Sequence, residues 1–195
     1  MKVGLIDVDS KIPNLALMKL SAYYKKIFKY EVELTGPLFI DKFDMIFASK
    51  VFRYSYMPIL PEWVNLGGAG IDLKAKLNNR IEHMMPDYSL YECSYAIGFT
   101  SRGCDRKCPW CVVPQKEGRL HAVKRKMLNT HGRYVTIMDN DFFANPDWKS
   151  VISWLGSYPV DIQAIDVRSL NEEKCKALAG LRQWNRKRFK IAWDD

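Results

Sequence analysis

The sequence predicts an α/β protein: a small Rossmann-like layer over residues 1–82, then a partial (β/α) barrel over residues 83–195. Short apolar runs of strand length alternate with amphipathic helical stretches along the chain, the order that builds parallel sheets. A polar, proline-punctuated stretch from Lys74 to Glu92 interrupts that alternation and reads as a linker. Beyond it, polar residues gather after each strand, at the end of a parallel sheet where α/β proteins place their sites.

Lys2 to Val8 is the first strand, an apolar run followed by Asp9-Ser10. Pro13 to Phe28 follows as an amphipathic helix with Leu15, Leu17, Met18, Leu20, Ala22, Tyr23 and Ile27 on its apolar face. Residues 30–34 alternate as a short strand, and residues 43–48 form a buried one. Gly67-Gly68-Ala69-Gly70 reads as a turn. It neither follows the first strand nor has the spacing of a dinucleotide fingerprint.

In the second part, residues 95–100 form a strand and a cysteine-bearing loop follows at once. Residues 134–138 are the next strand, ending in Asp139-Asn140-Asp141. A helix over 147–155 starts after Asn145-Pro146. Residues 160–166 form a third strand, and Asn171 caps a helix to Leu181 with Glu172 and Glu173 in its first turn. Residues 188–193 form a fourth strand before Asp194-Asp195. Asp141, Asn145 and Asn171 suit turn and cap duties. Alternation along the third strand puts Asp166 and Arg168 on one side, facing one cavity.

Composition narrows the class. The 195 residues are 48% hydrophobic and 27% charged, with no apolar run of membrane-spanning length. The N-terminus reads directly as a strand and lacks the pattern of a signal peptide. Five cysteines, an odd number, do not make a disulfide framework, so a reduced cytoplasmic setting is expected. Cys93 and Cys175, apart from the rest, are expected to pack in the core. The formal net charge of +8 is concentrated around residues 102–126 and 182–190. Such an excess suits a nucleic acid or another anionic substrate, or a solvated face.

Cys104, Cys108 and Cys111 form a C-x3-C-x2-C cluster in a short basic loop. Three thiols so close can turn toward one point, and thiolates are soft ligands for zinc or iron–sulfur clusters. Arg102, Arg106 and Lys107 are expected to favour the thiolate forms. A closed zinc site needs a fourth ligand. His121 and His131 would reach it only through a non-standard loop. A [4Fe-4S] cluster held by three cysteines leaves one iron open to a small molecule, which argues for chemistry there. Catalytic zinc, or a zinc-binding module that interacts with nucleic acid, is the rival reading.

The cysteine spacing, placed after the first strand of a βα repeat, resembles the signature of the radical S-adenosylmethionine (SAM) superfamily. The resemblance extends to Gly4–Asp9, Pro13–Lys19, Ser49–Phe52, Gly67–Gly70 and Pro86–Tyr88. It also takes in Lys116-Glu117-Gly118-Arg119, Asp166-Val167-Arg168 and Ala192-Trp193-Asp194, segments similar to those of bacterial and phage radical SAM proteins of undefined activity. By position, it implies that Cys104, Cys108 and Cys111 hold a [4Fe-4S] cluster whose fourth iron takes SAM. Trp110 would lie near the adenine. Asp139, Asn140 and Asp141 would bind the methionyl amine, although the usual Gly-Gly-Glu is absent. Asp166 and Arg168 would approach SAM, and Asp194 would reach the ribose. An electron from a reductase or flavodoxin-type donor would then yield a 5′-deoxyadenosyl radical, whose chemistry belongs to the cofactor.

Two departures qualify the resemblance. The family barrel has about six strands, short of the closed eight-stranded form, and this chain ends after four. Either the protein is naturally short or a C-terminal partner chain completes the barrel, and an open apolar edge at 188–193 is a liability unless covered. Residues 1–82 contain no histidine, so no cobalamin is expected there.

Overall fold

The computed structural model describes residues 1–124, 132–184 and 189–193. It divides into two compact units, Met1–Cys93 and Ser94–Asp195, each with its own core.

The first unit is a four-stranded parallel sheet. Strand β1 (Lys2–Asp7) lies between β2 (Glu31–Leu34) and β3 (Met45–Ser49), and β4 (Asn65–Gly67) extends the sheet beyond β3. β1 is apolar on both faces because both are covered. Val3 and Leu5 pack with Leu17, Leu20 and Ile81, while Ile6 packs with Ile46, Ala48 and Val64. Helix α1 (Leu15–Tyr23) starts where Asn14 Oδ1 accepts the Ala16 and Leu17 N–H groups, the bonds an N-cap makes. Its expected continuation to Phe28 is a π-helical turn over Tyr24–Phe28, closed by Lys29 in the left-handed region. Gly68 has φ +96°, and a Cβ there would come within 2.2 Å of the Lys50 carbonyl oxygen.

Residues 83–93 pack with this unit, so the division falls after Cys93 and the stretch read as a linker is structured. It contains helix α2 (Asn79–Glu82) and a 3₁₀ turn over Tyr88–Tyr91. Polar bonds fasten both. Lys19 Nζ meets Glu82 at 2.7 Å, and Asp87 accepts Ser21 Oγ at 2.7 Å and Lys25 Nζ at 2.8 Å. The Tyr91 hydroxyl donates to Asp7 at 2.6 Å.

In the second unit the chain runs through β5 (Ala96–Gly98), β6 (Ser101–Arg102), α3 (Val113–Glu117), β7 (His121–Ala122) and β8 (Val135–Ile137). It continues as α4 (Trp148–Leu155), β9 (Val160–Ile162), β10 (Ile165–Asp166), α5 (Glu172–Ala179) and β11 (Ile191–Ala192). β5, β8 and β9 form a parallel sheet in that order. Val135, Ile137, Val160 and Ile162 form the core with Phe142, Phe143, Val151, Leu155 and Leu178. Each fully buried side chain of this size contributes about 1.5–3 kcal/mol.

Two features depart from the expected repeat. The third strand, read as continuous over 160–166, is broken. β9 belongs to the main sheet, whereas β10 pairs in parallel with β11 in a sheet of two. The Gln163 N–H makes the last bond of β9 to Ile137 of β8, and beyond it the Ala164 carbonyl accepts the Phe142 N–H instead. β6 and β7 pair antiparallel across the ends of the cysteine loop, a hairpin the strand–helix alternation does not announce. Of the expected fourth strand, Ile191–Ala192 is a strand, and residues 185–188 lie outside the described residues. Among the described residues, no helix is long and apolar enough to cross a membrane.

Candidate functional site

The cysteines sit on a loop whose two ends are tied together. Gly103 leaves β6 with φ +77°, and a Cβ there would lie 2.2 Å from the Arg119 carbonyl oxygen, so the outgoing and returning chains touch. Cys104 N donates to the Gly118 carbonyl at 3.2 Å. Between these points stand all three thiols, each half-exposed.

Asp139 anchors the start of the loop. Its carboxylate accepts the Thr100 N–H at 2.6 Å and the Ser101 N–H at 3.0 Å, together with both hydroxyls. Asn145 Nδ2 adds a bond to Thr100 Oγ1 at 3.1 Å. Asp139 is 2% exposed, and burial pushes its carboxyl above the ordinary value against the pull of those four donors. Asp139, expected from the resemblance to meet a ligand amine, here has its carboxylate engaged by Thr100 and Ser101.

Glu117 closes the other end. It accepts Arg102 Nη2 at 2.7 Å, the Gly103 N–H at 2.9 Å and Asn140 Nδ2 at 2.9 Å. Arg102 also lies over the Phe99 ring, 4.2 Å from its centroid. Although burial opposes the charged form, Arg102, the Gly103 N–H and Asn140 hold the Glu117 carboxyl below its usual range. Asn140, expected from the resemblance to bind a ligand, has its amide on Glu117 of the loop.

A third set of bonds reaches the middle of the loop from β10 and the 3₁₀ turn over Val167–Ser169. Arg106 donates to Ser169 Oγ at 2.8 Å, and its guanidinium stands 3.2 Å from Asp166 and 3.5 Å from Asp141. Asp166 caps the turn through the Arg168 N–H at 2.8 Å and binds the Arg168 guanidinium at 2.9 and 2.7 Å. That bidentate bond, led by Arg168, lowers the Asp166 carboxyl. Asp141 accepts the Asp166 N–H at 3.2 Å and the Ser169 hydroxyl. Asp166 and Arg168 are thus together as expected, but through a 3₁₀ turn rather than strand alternation. Asp141, 4% exposed, is a structural acceptor.

The sulfurs have local partners. Cys104 Sγ accepts the Arg106 N–H and Cys111 Sγ the Val113 N–H, both at 3.4 Å. The Cys108 thiol faces the Arg168 guanidinium. Burial, the largest influence, raises the Cys104 thiol above its ordinary value, so the expectation that neighbouring cations favour its thiolate is not met. The physical reason is that burial, with Cys111 and Asp141 beside the thiol, outweighs the N–H and charge of Arg106, which pull the other way. Among the described residues, no group of three or more His, Cys, Asp or Glu side chains is placed to hold a metal ion.

Beside the loop lies an open cleft of about 480 Å³ lined by Arg106, Lys107, Cys108, Pro109, Trp110 and Arg168. Trp110 is 64% exposed at its rim. His121 is exposed, with its ring Nδ1 2.9 Å from the Arg119 carbonyl oxygen, while His131 and Asp194 lie outside the described residues. Cys175 is exposed, not packed as expected, and Cys93 is half-buried.

The sequence reading gave no site role to Thr100, Ser101, Glu117 or Ser169. For Glu117 a signal existed: it is one of only two acids, with Asp105, between Arg102 and Lys126. A lone acid among cations has a partner within reach.

No protein-family model, curated protein or solved structure matches the chain.

Proposed function

We propose that the protein is a radical SAM iron–sulfur protein, with Cys104, Cys108 and Cys111 as ligands of a [4Fe-4S] cluster and SAM bound beside it. One observation carries the reading: three thiols occupy a single loop with tied ends, and two of the sulfurs already accept backbone N–H bonds. Hydrogen bonds to sulfur and partial exposure are among the means by which a protein tunes such a cluster. The donor set fits in type and number. When bound, the cluster and SAM supply the radical chemistry.

This chain's residues bind and orient. Arg106 and Arg168 line the cleft with their positive charge largely offset by Asp141 and Asp166. Lys107 adds a cation, and Trp110 offers an aromatic face for a nucleobase. The same reading takes the four-stranded sheet as a Rossmann-like layer and the second unit as part of a (β/α) barrel. Anaerobic reconstitution followed by iron and sulfide analysis tests the proposal. The expected content is about four irons per chain, lost on Cys104→Ala, Cys108→Ala or Cys111→Ala, with SAM cleaved on reduction. Protein that takes up no iron overturns the reading. Bound zinc without a brown chromophore would favour the nucleic-acid module, which the exposed Trp110 beside Lys107 also suits. Cluster without SAM cleavage, restored by a separate C-terminal segment, would identify a split enzyme.

A further inference from the structure

Several carboxylates hold the loop: Asp141 and Asp166 take Arg106 at its middle, Asp105 accepts the Leu120 N–H, and Asp139 and Glu117 hold its ends with different reach. Asp139 fixes Thr100 and Ser101, before the loop begins. Glu117 alone joins three separate segments at the cysteines: Arg102 and Gly103 on the outgoing chain, its own helix α3 on the return, and Asn140 after β8. Its side chain is 13% exposed. The Gly103 N–H that it accepts belongs to the residue before Cys104, and the next residue after Glu117, Gly118, accepts the Cys104 N–H. The Glu117 carboxylate therefore fixes the residue before Cys104, while the backbone next to Glu117 takes the Cys104 N–H.

We infer that Glu117 is the positioning residue of the cysteine loop, the group that holds Cys104 in register with Cys108 and Cys111. Its consequence for cluster retention rests on the iron–sulfur reading, but its effect on the thiols does not. Without Glu117, Arg102 and the Gly103 N–H lose their shared acceptor. The loop ends are then held by fewer bonds, and the Cys104 thiol becomes more accessible. Asn140 contributes one of the three bonds, so its loss has a smaller effect of the same kind.

The test is thiol labelling of metal-free, full-length protein with iodoacetamide, followed by mass spectrometry at each cysteine. Exposed Cys175 serves as the rate reference, and half-buried Cys93, in the first unit, as the monitor of global loosening. Glu117→Ala is expected to speed Cys104 labelling about tenfold relative to Cys175, the size expected when a charged hydrogen-bond partner is lost. Glu117→Gln, which keeps an acceptor for the Gly103 N–H, is expected to restore part of the protection, and Asn140→Ala to lose a smaller part. Unchanged Cys104 labelling in Glu117→Ala overturns the inference, as does an equal acceleration at Cys93. In reconstituted protein, chelator removal of iron is expected to be faster in Glu117→Ala than in wild type. Wild type that binds no iron rejects the cluster reading alone, while the labelling still judges Glu117.

Discussion

Replacing Asp139 separates an anchor from a ligand contact. In Asp139→Ala, the Thr100 and Ser101 N–H groups lose their acceptor at residues that are each 1% exposed, so water does not replace it. An unsatisfied buried donor costs about 1–3 kcal/mol, so two cost about 2–6 kcal/mol. Removing a carboxylate that burial disfavours returns part of this, and the net destabilisation expected is about 2–4 kcal/mol. Asp139→Asn keeps an acceptor oxygen and is expected to cost about 1–2 kcal/mol. Urea unfolding followed by near-ultraviolet circular dichroism measures both. The pH dependence supplies a second signature. Because the Asp139 carboxyl is raised above its ordinary 3.8, the folded protein holds that proton to higher pH than the unfolded chain does. The associated stability is full below 3.8 and is lost as pH rises through the folded value. Asn lacks this gain, so the cost of Asp139→Asn relative to wild type should be larger at acid pH than at neutral pH. An Asp139→Ala protein within about 0.5 kcal/mol of wild type would refute the anchoring argument. If it also failed to bind SAM, a ligand role would take its place.

Further outcomes follow from the same geometry. Gly103→Ala forces a Cβ to 2.2 Å from the Arg119 carbonyl at φ +77°, and at least about 2 kcal/mol of destabilisation is expected in urea unfolding. Arg106→Ala leaves Asp141 and Asp166 short of a cation. It should cost about 1–3 kcal/mol, and much less in an Asp166→Asn background if the two act together. The carboxyls of Asp166 and Glu117 are held below their ordinary values, so their stabilisation is present above the unfolded pKa and lost as pH falls through the folded one. Acid titration of wild type against Asp166→Asn should show a weaker acid limb in the variant. Trp110→Ala removes a ring that is 64% exposed and should change stability by less than about 0.5 kcal/mol. It should nevertheless abolish any fluorescence quenching caused by an adenine-bearing ligand in the cleft.

Short-range patterns carried the α/β class. β1 was legible because it is a short apolar run of strand length; that both its faces are covered came from the packing. Asn171 was legible because a cap and the acids of the first turn lie within a few residues of one another. The broken third strand was not, since β9 and β10 are both apolar enough for one strand. Where they separate, the Ala164 carbonyl accepts the Phe142 N–H, a partner from another segment that the run itself does not announce. The structured stretch before Cys93 was missed for a similar reason. Its polar residues look like linker until Asp87 meets Ser21 and Lys25, more than sixty residues away.

The candidate site divides the same way. Sequence by itself determined that Cys104, Cys108 and Cys111 share one loop directly after a strand, because eight residues of covalent chain leave them nowhere else to be. Only the tertiary structure decided what surrounds them. Asp139 and Asn140 turn to the loop backbone, Arg106 reaches the end of β10, and Arg168 faces Cys108. These outcomes rest on partners 15 to 63 residues apart. A buried carboxylate goes to whichever donors the fold brings within 3 Å, and spacing along the chain does not say which those are.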